Sequence, residues 1–178
     1  LGDPNFVNFD LDEILSDKNI EDIFNKIKLN SCSDVGDLNI PAHPETIYLT
    51  VVDKDLNSVS IINSVCYVFG SGITTNKSGI LLHNRGTNFR VEHGHPNCIE
   101  GLKRPLHTII PGMVIDKDNN TTLSYGVMGG QYQPVGQVHV LNNMIDYGMG
   151  PQEALSFPRA FHFNNIYKLE KSVDNQIF

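Results

Sequence analysis

The chain has 178 residues and a formal net charge of −7, with 40% hydrophobic and 19% charged side chains. That composition is globular, and at this length one domain with its own core, burying roughly 68–70% of the unfolded surface, is the natural expectation. The acidic balance argues against a nucleic-acid surface or a polybasic membrane anchor, and no stretch reaches the ~20 apolar residues of a transmembrane helix.

Leu1-Gly2-Asp3-Pro4 has no signal-peptide pattern and no initiator Met, so Leu1 need not be the native start. Residues 1–10 read as irregular. Leu11, Ile14, Leu15, Ile20, Ile23, Phe24 and Ile27 fall mostly at helical spacing. They predict a helix-rich segment over about 11–28, with Ser16 as a cap and a break near Asp17-Lys18. Residues 30–45 are polar, with Gly and two Pro, a linker of the kind that loops and processing sites occupy.

From Thr46 the character changes. Thr46 to Val52 is β-branched and aromatic, Asp53 to Asn57 is a turn, and Ser58 to Ser64 alternates, which together predict a hairpin. Phe69 to Ile73 is a glycine-bearing loop and Gly79 to Leu82 a short strand. Residues 83–104 form a long polar loop, a kind often functional. Leu106 to Ile115 and Thr121 to Val127 predict a second strand pair around Asp116 to Asn120. Gly129-Gly130 follow at once. Pro134, Val138, Leu141, Met144 and Ile145 mark a helix running to about Tyr147, and Pro151 to Leu155 starts another. Phe157 to Phe163 is aromatic-rich, and Ile166 to Val173 reads as one more strand. There is no internal repeat or low-complexity tract. Strand pairs followed by helices predict the α+β class.

Cys32, Cys66 and Cys98 are odd in number and widely spaced. That is neither a disulfide framework nor a CxxC motif, and it reads as separate thiols. Thr46, taken alone, is an ordinary strand residue. The alternative is an N-terminal nucleophile, for which cutting the bond before it frees an α-amine of pKa near ~8 to serve as the base. Gly129-Gly130 is either a plain tight turn or a strand-to-helix junction whose unobstructed N–H groups suit an oxyanion. His83, Arg85, Asn88, Arg90, His93 and His95 lie on the polar loop, and the His93/His95 spacing matches no zinc signature. Arg104 suits either a substrate carboxylate or a structural ion pair. His107 and Thr108 face either core or site. No GxSxG, P-loop or GxGxxG pattern is present.

Seven blocks fall in one order: LGDPNF at the start, TIYLTVVDKDLNSVS at 46–60, FGSGI at 69–73, SGILLHNRGTNF at 78–89, KRPLHTIIP at 103–111, GVMGGQYQPVGQV at 126–138 and IDYGMGPQEALSFPR at 145–159. Together they resemble the γ-glutamyltransferase family of N-terminal-nucleophile hydrolases, in the branch with NRG and HTIIP at these places. The resemblance implies an αββα sandwich, present here in part, with two packed antiparallel sheets and outer helices. It implies a precursor that cuts itself between Glu45 and Thr46. Residues 1–45 are then the tail of the large subunit, and 46–178 the first part of the small, catalytic one. The nucleophile falls on Thr46, its hydroxyl partner on Ser64 (Ser in place of Thr) and the oxyanion glycines on Gly129 and Gly130. The positions that hold the glutamyl group carry Cys66, Arg85, Asn88, His107 and Thr108, so a non-glutamyl amide donor stands beside glutathione as an expectation. Arg104 joins them as a candidate for a substrate carboxylate.

The implied chemistry is acyl transfer from a small-molecule amide to water or an amine. It needs no metal or organic cofactor, and its partner is the rest of the large subunit. The resemblance also implies that 178 residues are either part of a longer precursor or an unusually trimmed member. Two other readings stand beside it. One is a catalytically inactive binding or structural protein derived from the family. The other is an unrelated α+β domain that binds an anion at Gly129-Gly130.

Overall fold

The computed structural model describes residues 2–31, 44–163 and 166–172. Most of the 30–45 linker, with Cys32, and the end of the last expected strand lie outside the described residues. The chain divides into two compact units, Leu1–Leu38 with Gly86–Leu106, and Asn39–Arg85 with His107–Phe178.

In the first unit, α1 (Leu11–Ile14) and α2 (Asp17–Phe24) form the expected helix-rich segment with its break. The break falls at Leu15-Ser16, two residues before the expected place. The reason is capping: Asp10 accepts from the Asp12 and Glu13 N–H groups, and the Ser16 hydroxyl accepts from the Asn19 N–H. This unit is held by polar groups. The buried Asp3 carboxylate accepts from the Arg104 N–H at 2.8 Å, Nε at 3.1 Å and Nη2 at 3.0 Å. The long polar loop is ordered by buried Asn97, whose Nδ2 donates to the Asn88 carbonyl at 2.6 Å and whose Oδ1 accepts from the Leu106 N–H at 3.0 Å.

The second unit holds three two-stranded antiparallel sheets: β1 (Pro44–Val52) with β2 (Ser58–Tyr67), β3 (Gly112–Ile115) with β4 (Thr121–Tyr125), and β5 (Ala160–Phe163) with β6 (Ile166–Leu169). Helices α3 (Tyr132–Ile145) and α4 (Pro151–Ser156) lie between the last two pairs in sequence. This is an α+β arrangement, as expected. The β1–β2 and β3–β4 hairpins turn in the same way. Asp53 Oδ1 accepts from the Asp55 and Asn57 N–H groups, and Asp116 Oδ1 accepts from those of Asp118 and Asn120. The fourth residue of each turn, Leu56 or Asn119, is left-handed at φ 64° and 65°. An Asp at the first position replaces the missing main-chain partners of both turns.

Side chains alternate across the hairpin. Thr46, Tyr48 and Thr50 share one face with Ser60, Ile62 and Ser64, and that face meets the β3–β4 pair. The Tyr48 hydroxyl lies 2.7 Å from Ser124 Oγ, and Ser60 Oγ donates to the Gly112 carbonyl at 3.1 Å. Burial pushes the Tyr48 phenol up, but hydrogen bonds with Ser124, Ser60 and Thr50 outweigh it, and the phenol sits below its ordinary value. Gly126 passes under the Tyr48 ring, where a Cβ would overlap the ring carbons.

Three expectations change. Gly79 to Leu82 is not a strand; Leu81 makes one isolated bridge to Thr74, and Thr75 and Ile80 close a tight loop between them. Residues 106–111 do not extend β3. The main-chain groups of Ile110 go instead to α3: Gln133 Oε1 accepts from its N–H, and Gln137 Nε2 donates to its carbonyl. Helix α3 also buries a face turned away from most of its apolar residues, with Leu141 and Met144 half-buried. Gln133, Gly136, Gln137 and Asn143 are buried, whereas Val138 and Ile145 are exposed. Gly136 is there because the Tyr132 ring occupies the space of its Cβ. Ala160–Phe163, read only as aromatic, is a strand, and Arg159 beside it pairs with Glu170.

Candidate active site

Thr46 lies in β1 and is only 4% exposed. Its hydroxyl donates to Ser64 Oγ at 3.2 Å. The two residues are direct cross-strand partners on the inner face, which is why they meet. The main chain at this point is not a regular ladder. Thr46 stands opposite Ser64, but Glu45 stands opposite Cys66, leaving Val65 as an extra residue on β2. This is a β-bulge, a device that re-aims side chains. It sits across from the Glu45–Thr46 bond.

Cys66 carries the bulge. It is 2% exposed, and its φ is +79°, a left-handed conformation that a residue with a Cβ rarely takes. Its N–H donates to Ser64 Oγ at 3.1 Å. The Ser64 oxygen thus accepts from both Cys66 and Thr46. Asn84 closes the bulge from outside. Its N–H donates to the Val65 carbonyl at 3.2 Å, and its Oδ1 accepts from the Tyr67 N–H at 3.1 Å.

Gly129 and Gly130 turn the chain from β4 into α3 at φ 124° and 57°, values that glycine adopts freely. Their carbonyls accept from the Tyr132 and Gln133 N–H groups at 3.0 and 3.1 Å. Their own N–H groups have no hydrogen-bond partner among the described residues. The inner face of β1–β2 leads to them, since Tyr48, two residues after Thr46, packs on Gly126. A pair of free N–H groups at the start of a 14-residue helix favours negative charge.

The other candidates divide between the units. Cys66, Arg85, His107 and Thr108 belong to the second, with Thr46; Asn88 and Arg104 belong to the first. Arg85 follows Asn84, and its Nη2 is buried without a hydrogen-bond partner among the described residues. The Asn88 amide donates to the Leu106 carbonyl at 2.9 Å. Arg104 takes the structural alternative through Asp3, and that pairing holds the Asp3 carboxyl well below the usual carboxylate range. His107 is exposed, and its Nδ1 accepts from the Ile109 N–H at 3.2 Å. Thr108 is half-buried.

Sequence reasoning missed Asn84, Tyr48 and the Gln133/Gln137 pair. Asn84 lay within a motif block but carried no chemistry of its own. The glutamines follow Gly129-Gly130 at a one-turn spacing, a signal that becomes visible only when polar residues are allowed to define a buried helix face. Among the described residues, no group of three or more His, Cys, Asp or Glu could hold a metal ion. No described helix is long and apolar enough to cross a membrane.

Comparison with known proteins places the chain in a family. The chain is 38% identical over 164 residues to the glutathione hydrolase-like YwrD proenzyme of Bacillus subtilis (strain 168), covering 89% of this chain and 30% of that protein. It is 33% identical over 178 residues to the glutathione hydrolase proenzyme of Escherichia coli (strain K12), covering 91% of this chain and 30% of that one. Among solved structures, a cephalosporin acylase from Bacillus halodurans superposes with a TM-score of 0.82 at 33% identity, over 99% of this chain and 32% of that one. The chain thus spans about a third of the length of the relatives it matches. The family model described as gamma-glutamyltranspeptidase matches residues 1–178, and the chain belongs to the γ-glutamyltranspeptidase family.

Proposed function

We propose that this chain is the processing and nucleophile region of an N-terminal-threonine hydrolase or acyltransferase, in which Thr46 first cuts its own precursor and then transfers an acyl group. The observation that carries this reading is the Thr46 hydroxyl aimed at Ser64 Oγ at 3.2 Å, at the point where β1 loses register before Thr46.

For self-cleavage, Thr46 Oγ adds to the Glu45 carbonyl carbon. Its proton passes through Ser64 to the Thr46 nitrogen, the C–N bond breaks, and an ester joins Glu45 to Thr46 Oγ. Water hydrolyses that ester, leaving a Glu45 carboxylate and a free Thr46 with its α-amine. In turnover the amine takes the hydroxyl proton, Oγ attacks the donor amide, and the Gly129 and Gly130 N–H groups stabilise the oxyanion. The leaving amine takes the proton. Water or an amine acceptor then resolves the acyl-enzyme.

Two further points support parts of this reading. The outer face of the hairpin, with Ile47, Leu49, Val51, Val59 and Ile61 exposed, suits burial against the rest of the same precursor. The unpartnered Arg85 Nη2 favours a donor with a free carboxylate and no ammonium, so an amidase or acylase acting on a non-glutamyl donor is the second reading. The family resemblance of the cephalosporin acylase agrees with donors other than glutathione.

Mass spectrometry of the full-length precursor tests the proposal. Two chains meeting at Glu45/Thr46, and an uncut Thr46→Ala variant, are the expected result. A wild type that stays whole under conditions where it is folded overturns it, as does equal cleavage of Thr46→Ala.

A further inference from the structure

We infer that Asn84 is a positioning residue for self-cleavage: it locks the Val65–Cys66 bulge opposite the Glu45–Thr46 bond and so fixes the Ser64 hydroxyl on Thr46. The inference rests on the reading of Thr46 as a self-cleaving nucleophile.

A bulge removes main-chain partners. Here Val65 has no residue opposite it in β1, because the register passes from Thr46–Ser64 to Glu45–Cys66. Buried main-chain groups without partners are strongly disfavoured. Asn84 meets the need on both sides of Cys66, giving its N–H to the Val65 carbonyl and taking the Tyr67 N–H on its side-chain oxygen. One residue thus stands in for a missing strand.

The same grip explains the Cys66 conformation. A left-handed φ of +79° is unfavourable for a residue with a Cβ, and it persists only where the surroundings over-determine it. Fixing Val65 and Tyr67 fixes Cys66 between them. In that conformation its N–H points at Ser64 Oγ. Without the grip, the strand relaxes to a regular ladder with Glu45 opposite Val65. The Cys66 N–H then leaves Ser64, whose side chain is free to turn from Thr46, and the chain straightens at the scissile bond.

The test uses the full-length precursor and follows the fraction cut at Glu45/Thr46 with time, alongside Tm. Asn84→Ala keeps the main-chain bond to Val65 but removes the acceptor for the Tyr67 N–H, and is expected to slow cleavage between about 10- and 100-fold, the range for a misplaced reacting group. Asn84→Asp keeps the acceptor for the Tyr67 N–H and is expected to cleave within about threefold of wild type. Adding Cys66→Gly to Asn84→Ala is expected to restore most of the rate, because glycine takes a positive φ without the lock. A role confined to stability moves Tm without this rescue. Asn84→Ala cleaving as fast as wild type, or a double variant no faster than Asn84→Ala, overturns the inference. If Asn84→Ala does not fold, Cys66→Val is read instead: slowed cleavage supports the lock, and wild-type cleavage overturns it. Failure of the wild type itself to cut refutes the Thr46 reading, and this inference with it, whereas a wild type that cuts with indifferent variants refutes only the lock.

Discussion

The ring of Tyr48 covers Gly126 so closely that a Cβ on the glycine would overlap it. Tyr48 shares the inner face of β1 with Thr46, and Gly126 lies three residues before Gly129. This contact therefore joins the strand that carries the proposed nucleophile to the turn proposed for the oxyanion. Gly126→Ala forces the ring aside and breaks its hydrogen bond with Ser124. An overpacking cost of about 1–3 kcal/mol is expected, together with slower self-cleavage. Denaturant unfolding and the cleavage assay check it, and a variant unchanged in both removes the connection.

Gln133 and Gln137 hold the two main-chain groups of Ile110, and Gln133 is fully buried. Gln133→Leu keeps the volume but leaves the Ile110 N–H without its acceptor. A loss of about 1–3 kcal/mol is expected. Gln137→Leu acts on the carbonyl of the same residue, so the two losses are coupled and the double variant falls short of their sum. Strict additivity in a double-mutant cycle argues against a shared grip.

Four carboxyls lie below their ordinary values. Arg104 lowers Asp3 and Arg159 lowers Glu170, while hydrogen bonds from Asn57 and Asn120 lower Asp53 and Asp116. In the unfolded chain these groups take up protons near pH 4, and in the folded chain only at lower pH. The unfolded state therefore binds more protons as pH falls through about 4, and stability drops with it. Above that range the contribution is complete. Tm is expected to hold from pH 7 to 5 and fall below about 4, with a shallower fall in Asp3→Asn. An unchanged Tm at pH 3 contradicts this.

The Arg85 reading makes a selectivity prediction. In the full-length protein, three donors releasing the same chromophore separate the cases: one with a carboxylate alone, one with carboxylate and ammonium, one with neither. Arg85→Gln is expected to lower kcat/KM for the first by about 10- to 100-fold, the worth of a charged hydrogen bond, and to leave the neutral donor unchanged. Equal losses on all three sink the assignment of a carboxylate to Arg85.

The hairpin was legible because β-branched residues alternate around a turn, whereas the Thr46–Ser64 pair came from the family resemblance, and the period of two accounts for their shared face. The position of α3 was legible too, but its orientation was not. Apolar spacing points to Val138 and Ile145, whereas the helix buries Gln133, Gly136 and Gln137, whose partners are main-chain groups of a distant loop. The Asp3–Arg104 pair spans 101 residues, beyond any local pattern. Residues 106–111 have strand composition, but composition does not say which groups will take their hydrogen bonds. The bulge was invisible for the same reason: Cys66 is an ordinary strand residue until its φ is known.

The hairpin register gives the proposed cut at Glu45–Thr46 unequal ends. Downstream, Thr46 to Val52 remains zipped to Ser58 to Ser64, so the new α-amine is born already anchored, beside the hydroxyl it must serve. Upstream, among the described residues, Pro44 and Glu45 are paired to β2, and a proline has no N–H to give. The end that carries the proposed nucleophile is thus the one held along its whole length by the ladder.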